Sequence, residues 1–188
     1  MALTHAILAT LARSPLSGYD LAKHFDQYVA CYWQASQQQI YRELAKLEVE
    51  GWVHSHLEIQ ADRPNKKVYE ITPLGKENLK EWLKEPSQPT VLREDLLVKV
   101  LAGYLVPKNL IEEELKRRQK IHQNQLDHYR QVEQSFFANL RQVPLEHQFQ
   151  YLTLKRGIRY EADWIAWCEE ALTLLAQFPE ECSRERAD

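Results

Sequence analysis

Side chains that can contact a DNA duplex are concentrated in residues 36–67. Gln38 carries an amide that can pair with an adenine edge, and Arg42 carries a guanidinium that can pair with a guanine edge. Tyr41 and Lys46 offer a hydroxyl and an ammonium group that can hold phosphates. The candidate DNA contacts are the polar and basic residues Ser36, Gln37, Gln38, Gln39, Tyr41, Arg42, Lys46, Arg63, Lys66 and Lys67.

A single amphipathic helix is predicted to carry most of these side chains. Ile40, Leu44 and Leu47 recur at helical spacing and form one apolar stripe. Ser36 is suited to the N-cap of this helix, and Gly51 is suited to its C-terminal stop. The polar side chains then lie on the opposite face and its flanks, where a major groove can meet them. A solvated polar face has the same pattern, so the helix alone leaves both interpretations open.

Residues 52–59 alternate between apolar and polar side chains, which is the pattern of a half-buried strand. We expect one face to be buried and the other to be exposed. The two faces are Val53, Leu57 and Ile59 on the apolar side, and His54, His56 and Glu58 on the polar side.

A second short strand is predicted over residues 68–72, and Pro64-Asn65 marks a chain reversal before it. Arg63, Lys66 and Lys67 concentrate positive charge at the tip of this hairpin. A charged hairpin is often only a solvated loop, so its position directly after the amphipathic helix is what makes it informative.

Two shorter helices are predicted upstream, over residues 4–11 and 19–28, with a break at Ser14-Pro15-Leu16-Ser17-Gly18. The order helix, helix, recognition helix, strand, strand is that of a winged helix-turn-helix. We therefore predict a mostly helical protein with a small two-stranded β-wing, in which residues 1–85 form a winged helix-turn-helix DNA-binding domain.

Four motifs in this half resemble the PadR family of transcriptional regulators. They are Gly18-Tyr19-Asp20-Leu21, Gln39-Ile40-Tyr41-Arg42-Glu43-Leu44, Gly51-Trp52-Val53 and Lys66-Lys67-Val68-Tyr69. The segment Leu152-x-Leu154-x-Arg156-Gly157-Ile158 is similar to the subgroup with a virulence-activator-type C-terminal domain. The resemblance implies a homodimeric, DNA-binding regulator whose C-terminal helices form the dimer. The family contains both activators and repressors, and of the two we expect a repressor.

The second half of the chain is predicted to consist of long helices. Glu85-Pro86-Ser87-Gln88-Pro89 ends a helix over residues 73–84 and marks the domain boundary. Residues 90–178 then form a helical dimerisation domain with antiparallel long helices, and residues 179–188 form a flexible tail. Arg118 and His122 are expected to interrupt the apolar seam of the first long helix.

Two long amphipathic helices leave more apolar surface than one hairpin can cover, which predicts a partner copy. Packing back onto the winged domain is the alternative. Two-fold symmetry would place two recognition helices on one face of DNA, so the operator should be an inverted repeat. The predicted interface comprises the apolar residues Leu115, Leu126, Tyr129, Phe136, Phe149, Leu152, Trp164, Trp167 and Leu174.

Aromatic residues in both halves suggest a pocket between the two domains for a small aromatic effector. The candidate pocket residues are Tyr28, Tyr32, Trp33, Trp164 and Trp167. Ordinary core packing is the alternative, since an aromatic stripe at helical spacing is usually core.

No motif in the sequence indicates catalysis, and we expect no enzyme activity, metal or cofactor. His54 and His56 lack a third ligand nearby, and no glycine-rich phosphate loop or nucleophile elbow is present. Cys31, Cys168 and Cys182 lack metal-ligand spacing, so we expect reduced thiols.

The net charge of −3 argues mildly against a nucleic-acid binder, and residues 1–85 hold ten Lys/Arg against eleven Asp/Glu. The prediction therefore depends on where the charges lie on the surface. We expect the basic side chains to project together, with acids such as Glu77 and Glu81 on a later helix. A winged helix used as a protein-protein interaction module is the alternative function. No segment reads as a membrane span or secretion signal, so we expect a cytoplasmic protein.

Overall fold

The computed structural model describes residues 2–25, 33, 35–59, 65–89 and 93–179. The chain divides into two compact units, Met1–Pro89 and Thr90–Asp188. The elements described in the first unit are α1 (Ala2–Leu11), β1 (Leu16–Ser17), α2 (Gly18–His24), α3 (Gln37–Val49), β2 (Val53–Glu58), β3 (Lys66–Ile71) and α4 (Pro73–Lys84). Those described in the second are α5 (Asp95–Leu101), α6 (Lys108–Phe136) and α7 (Leu145–Ala176), with 3-10 turns at Gly103–Leu105 and Leu140–Gln142. The predicted mostly helical winged-helix fold is confirmed.

One apolar core holds the first unit together. Ile40, Leu44 and Leu47 of α3 are at most 1% exposed, as their spacing predicts. Leu8 of α1 and Leu21 of α2 are fully buried in the same cluster. Each buried aliphatic side chain contributes about 1.5–3 kcal/mol relative to exposure, so this stripe determines which face of α3 turns outward.

Both ends of α3 follow from local sequence. The Ser36 hydroxyl accepts a hydrogen bond from the Gln39 backbone N–H at 3.3 Å, and the Gln39 side chain accepts one from the Ser36 N–H at 2.8 Å. This reciprocal capping box satisfies two N–H groups that would otherwise lack partners. Gly51 has φ of 73°, a left-handed conformation that favours glycine and lets the chain turn from α3 into β2.

The sheet has three strands in the order β1-β3-β2, all antiparallel. The third strand, β1, was not predicted: it pairs Leu16 with Tyr69 and Ser17 with Val68, within the segment expected only to break the helices. The expected burial of one face of β2 is wrong beyond its first residue. Val53 is buried, but Leu57 is 65% exposed because the hairpin extends past the edge of the core.

In the second unit, α6 and α7 pack as an antiparallel pair. Side chains from the start of α6 meet the end of α7, as in the hydrogen bond from Gln119 to Glu169, and the reverse holds where Tyr151 donates to Glu133 at 2.8 Å. Leu96 of α5 and Leu115 of α6 join Trp164 in the core of this unit.

The two residues expected to interrupt the α6 seam pack against α7 instead. His122 lies 2.5 Å from Glu161 of α7, measured from Nδ1 to Oε2, and both side chains are buried. Its ring stacks on Trp164 with centroids 5.1 Å apart, and the Arg118 guanidinium lies 5.6 Å from the same indole. Arg118 is neutralised by Glu94 at 2.8 Å. Their polar groups can be accommodated here because Glu161 and Glu94 supply acidic partners for them.

No helix among the described residues is long and apolar enough to cross a membrane, and these residues contain no group of three potential metal ligands. Cys168 is buried as a free thiol, and burial raises its pKa, so the thiol stays protonated. Cys31 and Cys182 lie outside the described residues.

Candidate nucleic-acid interface

The polar face of α3 points away from the core. Gln38, Tyr41 and Arg42 are all exposed, and so is Gln37 in the first turn. Their exposure follows from the buried stripe on the opposite side of the helix. The face therefore presents an amide, a phenol and a guanidinium side by side.

Gln39 and Ser36 already have structural roles. The Oε1 atom of Gln39 is the acceptor in the capping box, so it is engaged while the helix N-terminus is intact. Ser36 uses its hydroxyl as the N-cap. Of the glutamines predicted to contact DNA, Gln37 and Gln38 are the two whose side chains have no such local duty within the described residues.

Tyr41 is positioned by a glycine at the start of α2. A Cβ atom at Gly18 would lie 2.4 Å from Cε1 of Tyr41, which is far inside van der Waals contact. The missing side chain therefore allows the phenol ring to lie against α2 while 41% of the residue stays exposed. This contact joins the Gly18-Tyr19-Asp20-Leu21 segment directly to the α3 motif.

Both basic residues of the wing that the structure describes have acidic partners, although Glu77 and Glu81 lie on the later helix α4 as expected. Lys67 pairs with Glu48 of α3 at 2.8 Å, and Lys66 pairs with Asp20 of α2 at 3.6 Å. The two lysines begin β3, opposite Glu58 and Leu57 of β2, and each reaches a carboxylate on a different helix. Arg63 lies outside the described residues.

The two basic residues of α3 differ in whether they have an acidic partner. Lys46 lies between Glu43 and Glu50, at 3.6 and 3.9 Å. Arg42 has no acidic group within ion-pair distance among the residues that the structure describes, and it is exposed. Its guanidinium is thus the positive group on this face that a ligand can bind without displacing a carboxylate of the described chain.

The wing also exposes two apolar side chains that sequence reasoning placed in the core. Leu57 and Ile59 are 65% and 83% exposed. Their alternation with polar residues predicts burial, but the pattern does not indicate how far the strand extends beyond the helices. Both are candidates for contact with the sugar or groove edge of a duplex.

The predicted dimer residues fall into two groups. Leu115, Leu126, Tyr129 and Trp164 are at most 8% exposed, because the packing of a single copy already covers them. These four residues therefore support the unit itself. Trp167 is partly buried, and the four predicted residues that stay exposed are Phe136, Phe149, Leu152 and Leu174. Other large side chains are exposed on the same two helices, namely Leu110, Ile121, Leu145 and Tyr160.

The predicted pocket residues that the structure describes each have packing partners within one unit. Trp33 packs against the core of the first unit, and Trp164 stacks on His122 in the second. Tyr28 and Tyr32 lie outside the described residues. Trp167 lines a cavity of about 690 Å³ in the second unit, whose other walls include Tyr104, Ile111 and Leu174, with Lys108 and Glu170 among its residues.

Comparison with known proteins connects both units to characterised families. Residues 7–81 match the family model described as transcriptional regulator PadR-like family, and residues 92–176 match the model described as virulence activator alpha C-term. Between them the two models account for nearly all of the residues that the structure describes.

Individual relatives span almost the whole chain. A probable transcriptional regulator of Mycobacterium tuberculosis, Rv1176c, is 36% identical over 94% of this chain and 99% of its own length. The negative transcriptional regulator PadR of Bacillus subtilis is 30% identical over 92% of this chain and 97% of its own length. Its crystal structure in complex with operator DNA has a TM-score of 0.79 at 25% identity, covering 93% of this chain and 99% of the other. The structure of the Vibrio cholerae virulence activator AphA has a TM-score of 0.75 at 29% identity, covering 93% of this chain and 98% of the other.

Proposed function

This chain belongs to the PadR-like family of transcriptional regulators, which are not enzymes, and from that premise we propose that it is a homodimeric repressor that binds an inverted-repeat operator. In this proposal Gln38 and Arg42 read base edges in the major groove, with Gln37 beside them. Tyr41 and Lys46 hold the phosphate backbone. Ser36 orients the N-terminus of α3, and Arg63, Lys66 and Lys67 of the wing hold the flanking backbone.

The observation that supports this function most directly is the outward face of α3. An exposed amide and an exposed guanidinium lie one helical turn apart, on a helix that the buried stripe fixes in orientation. Such a pair of side chains is suited to hydrogen bonding with neighbouring base edges. Arg42 makes no ion pair within the described residues, so its guanidinium is available for such a contact. A regulator acting on the chromosome works in the cytoplasm.

The test is a gel-shift titration of the purified protein against the DNA upstream of its own gene, at two salt concentrations. We expect retardation that weakens steeply as salt increases, together with protection of two symmetric half-sites about one helical turn apart, or a multiple of it. Absence of retardation on upstream and genomic fragments would favour the protein-interaction module instead. If expression of a reporter gene placed behind the operator falls when the protein is produced, the protein is a repressor. If expression of that gene rises, the protein is an activator.

Dimerisation is proposed to use the exposed apolar side chains of the second unit. Phe149 and Leu152 of α7 are each 63% exposed, and Phe136 at the end of α6 is 60% exposed. Exposed aromatic and aliphatic side chains at this density are costly in water and typical of an interface core.

Leu152→Asp is therefore expected to convert the dimer into a monomer in sedimentation at micromolar concentration, because it places a charge in an apolar contact. Thr153→Asp, one residue along on the same helix and also exposed, is the matched control and should leave the dimer intact. A wild-type protein that sediments as a monomer would contradict the proposal, as would a Leu152→Asp variant that stays dimeric.

An effector is proposed to bind the cavity of the second unit. Its wall is largely apolar and includes an indole and a phenol, and about 690 Å³ is enough for a small aromatic molecule. The Bacillus subtilis relative has been solved with p-coumaric acid, which makes this phenolic acid a suitable first probe. Calorimetric titration should give saturable binding that Ala171→Phe abolishes by filling the cavity, without loss of operator binding. Equal binding to both proteins would place the ligand elsewhere.

A further inference from the structure

The last long helix, α7, carries a second apolar stripe besides the one that packs in the core of its unit. Its large apolar side chains within one arc of about 80° are exposed or, for Trp167, partly buried. They are Leu145, Phe149, Leu152, Tyr160, Trp167 and Leu174. The buried residues Leu154, Trp164 and Cys168 centre on a direction about 120° away around the helix. Packing within one copy therefore leaves the second stripe largely uncovered.

Charged side chains interrupt this stripe at Arg156, Asp163 and Glu170, and all three are exposed. Within the described residues neither Arg156 nor Asp163 makes an ion pair, although the Arg156 guanidinium lies 5.6 Å from the centre of the Tyr160 ring. An arginine and an aspartate without acidic or basic partners thus lie in the middle of an exposed apolar surface.

The stripe is complementary to itself about the middle of the helix. Arg156 and Asp163 lie at equal distances on either side of the point between residues 159 and 160. Apolar residues are placed in the same way about this point, namely Leu152 with Trp167 and Leu145 with Leu174. A two-fold axis crossing α7 there would place each of these residues beside its counterpart on an antiparallel second copy.

A parallel arrangement of the same two helices has the opposite electrostatics. It brings identical residues together, so Arg156 would lie beside the partner's Arg156 and Asp163 beside the partner's Asp163. Like charges held together in an interface are unfavourable, whereas the antiparallel arrangement forms the Arg156 and Asp163 pair twice. The apolar side chains supply contact area in both arrangements, and the charges select the antiparallel one.

We propose that α7 packs against α7 of a second copy in antiparallel register, with Arg156 paired with the partner's Asp163 on both sides of the two-fold axis. The inference rests on the homodimer proposed above and assigns its geometry. It also bears on the proposed effector cavity, because Trp167 and Leu174 belong both to the stripe and to the cavity wall. In this register the partner's Leu152 and the partner's Leu145 lie over those two residues, so the cavity is complete only in the dimer.

The first test is a charge exchange in the full chain, measured as the dimer dissociation constant by sedimentation equilibrium. Arg156→Glu and Asp163→Arg each turn both ion pairs into like-charge contacts, and each should raise this constant about 10- to 100-fold. The double variant Arg156→Glu with Asp163→Arg restores opposite charges in the antiparallel register and should return to within about 3-fold of wild type. A parallel register predicts no recovery, because the double variant still brings like charges together.

Glu169→Arg is the matched control for Asp163→Arg. It makes a comparable charge reversal on the same helix, at an exposed side chain that accepts a hydrogen bond from Gln119 of α6 at 3.1 Å. We expect it to change the dimer dissociation constant by less than about 3-fold. Weakening equal to that of Asp163→Arg would make the effect one of net charge and would overturn the register.

The second test uses a short bismaleimide crosslinker on a chain whose natural cysteines are replaced by alanine and which still sediments as a dimer. Leu145→Cys and Leu174→Cys are made separately and then mixed. The mixture should give crosslinked dimers, because the two positions face each other across the interface. Each variant alone should give none, because in the antiparallel register its two copies of the cysteine are about 43 Å apart along the helix.

Wild-type sedimentation is measured first. A monomer refutes the proposed dimer itself, whereas a dimer confines any later failure to the register. The register is overturned by single reversals that leave the dimer unchanged, by a double variant that does not recover, by crosslinking of either cysteine variant alone, or by a mixture that does not crosslink.

Discussion

Arg42→Ala is expected to weaken operator binding by about 1–3 kcal/mol while leaving the affinity for random DNA within about 2-fold. The expectation rests on the position of Arg42 at the exposed face of α3 and on its lack of an acidic partner among the described residues. A guanidinium free of such a partner can form a bidentate contact with a guanine edge without first breaking an ion pair. Fluorescence anisotropy with labelled operator and scrambled duplexes measures both quantities.

Lys66→Ala supplies the comparison for this variant. A lysine that holds phosphate should lose affinity on both duplexes alike and flatten the salt slope by about 0.9 for each contact removed. Because Lys66 pairs with Asp20 in the free protein, its contact with a phosphate competes with that pair, so the affinity lost on substitution is smaller than for an unpaired lysine. Equal losses on both duplexes for Arg42→Ala would make Arg42 a phosphate contact, and an unchanged operator affinity would remove it from the interface.

His122→Ala is expected to lower the free energy of unfolding of the second unit by about 3–5 kcal/mol, because it leaves a buried group without its partner. Glu161 is 6% exposed and its carboxylate lies 2.5 Å from the His122 ring. The substitution also removes the ring stacked on Trp164. Urea unfolding is followed by tryptophan fluorescence, which reports the second unit through Trp164 and Trp167 and the first unit through Trp33, Trp52 and Trp82. Operator affinity should fall with the stability of the second unit if its helices hold the dimer together.

His128→Ala is the matched control, since it makes the same substitution in the same helix at a partly exposed position. We expect a change within about 0.5 kcal/mol. A double variant with leucine at positions 122 and 161 should recover much of the stability lost by His122→Ala, because it removes both polar groups together. If His122→Ala costs no more than His128→Ala, the buried pair is not a significant source of stability.

The amino-acid sequence by itself determined the elements of the candidate interface. The spacing of Ile40, Leu44 and Leu47 predicts a helix with one buried face, and the same spacing settles that Gln38 and Arg42 point outward. Ser36 and Gly51 mark the ends of that helix through capping geometry. These properties depend on residues within a few positions of one another, so periodicity and local hydrogen bonding suffice to predict them.

Only the tertiary structure decided which charges and surfaces are available. The partners of Lys67 and His122 lie 19 and 39 residues away, and no spacing rule identifies them. Leu57 follows a strand alternation yet is exposed, because the hairpin extends beyond the helices that would cover it. Ion pairing across elements and burial both depend on which surfaces meet after folding. For that reason the sequence predicted a free basic wing, whereas the folded chain presents lysines already paired with Glu48 and Asp20.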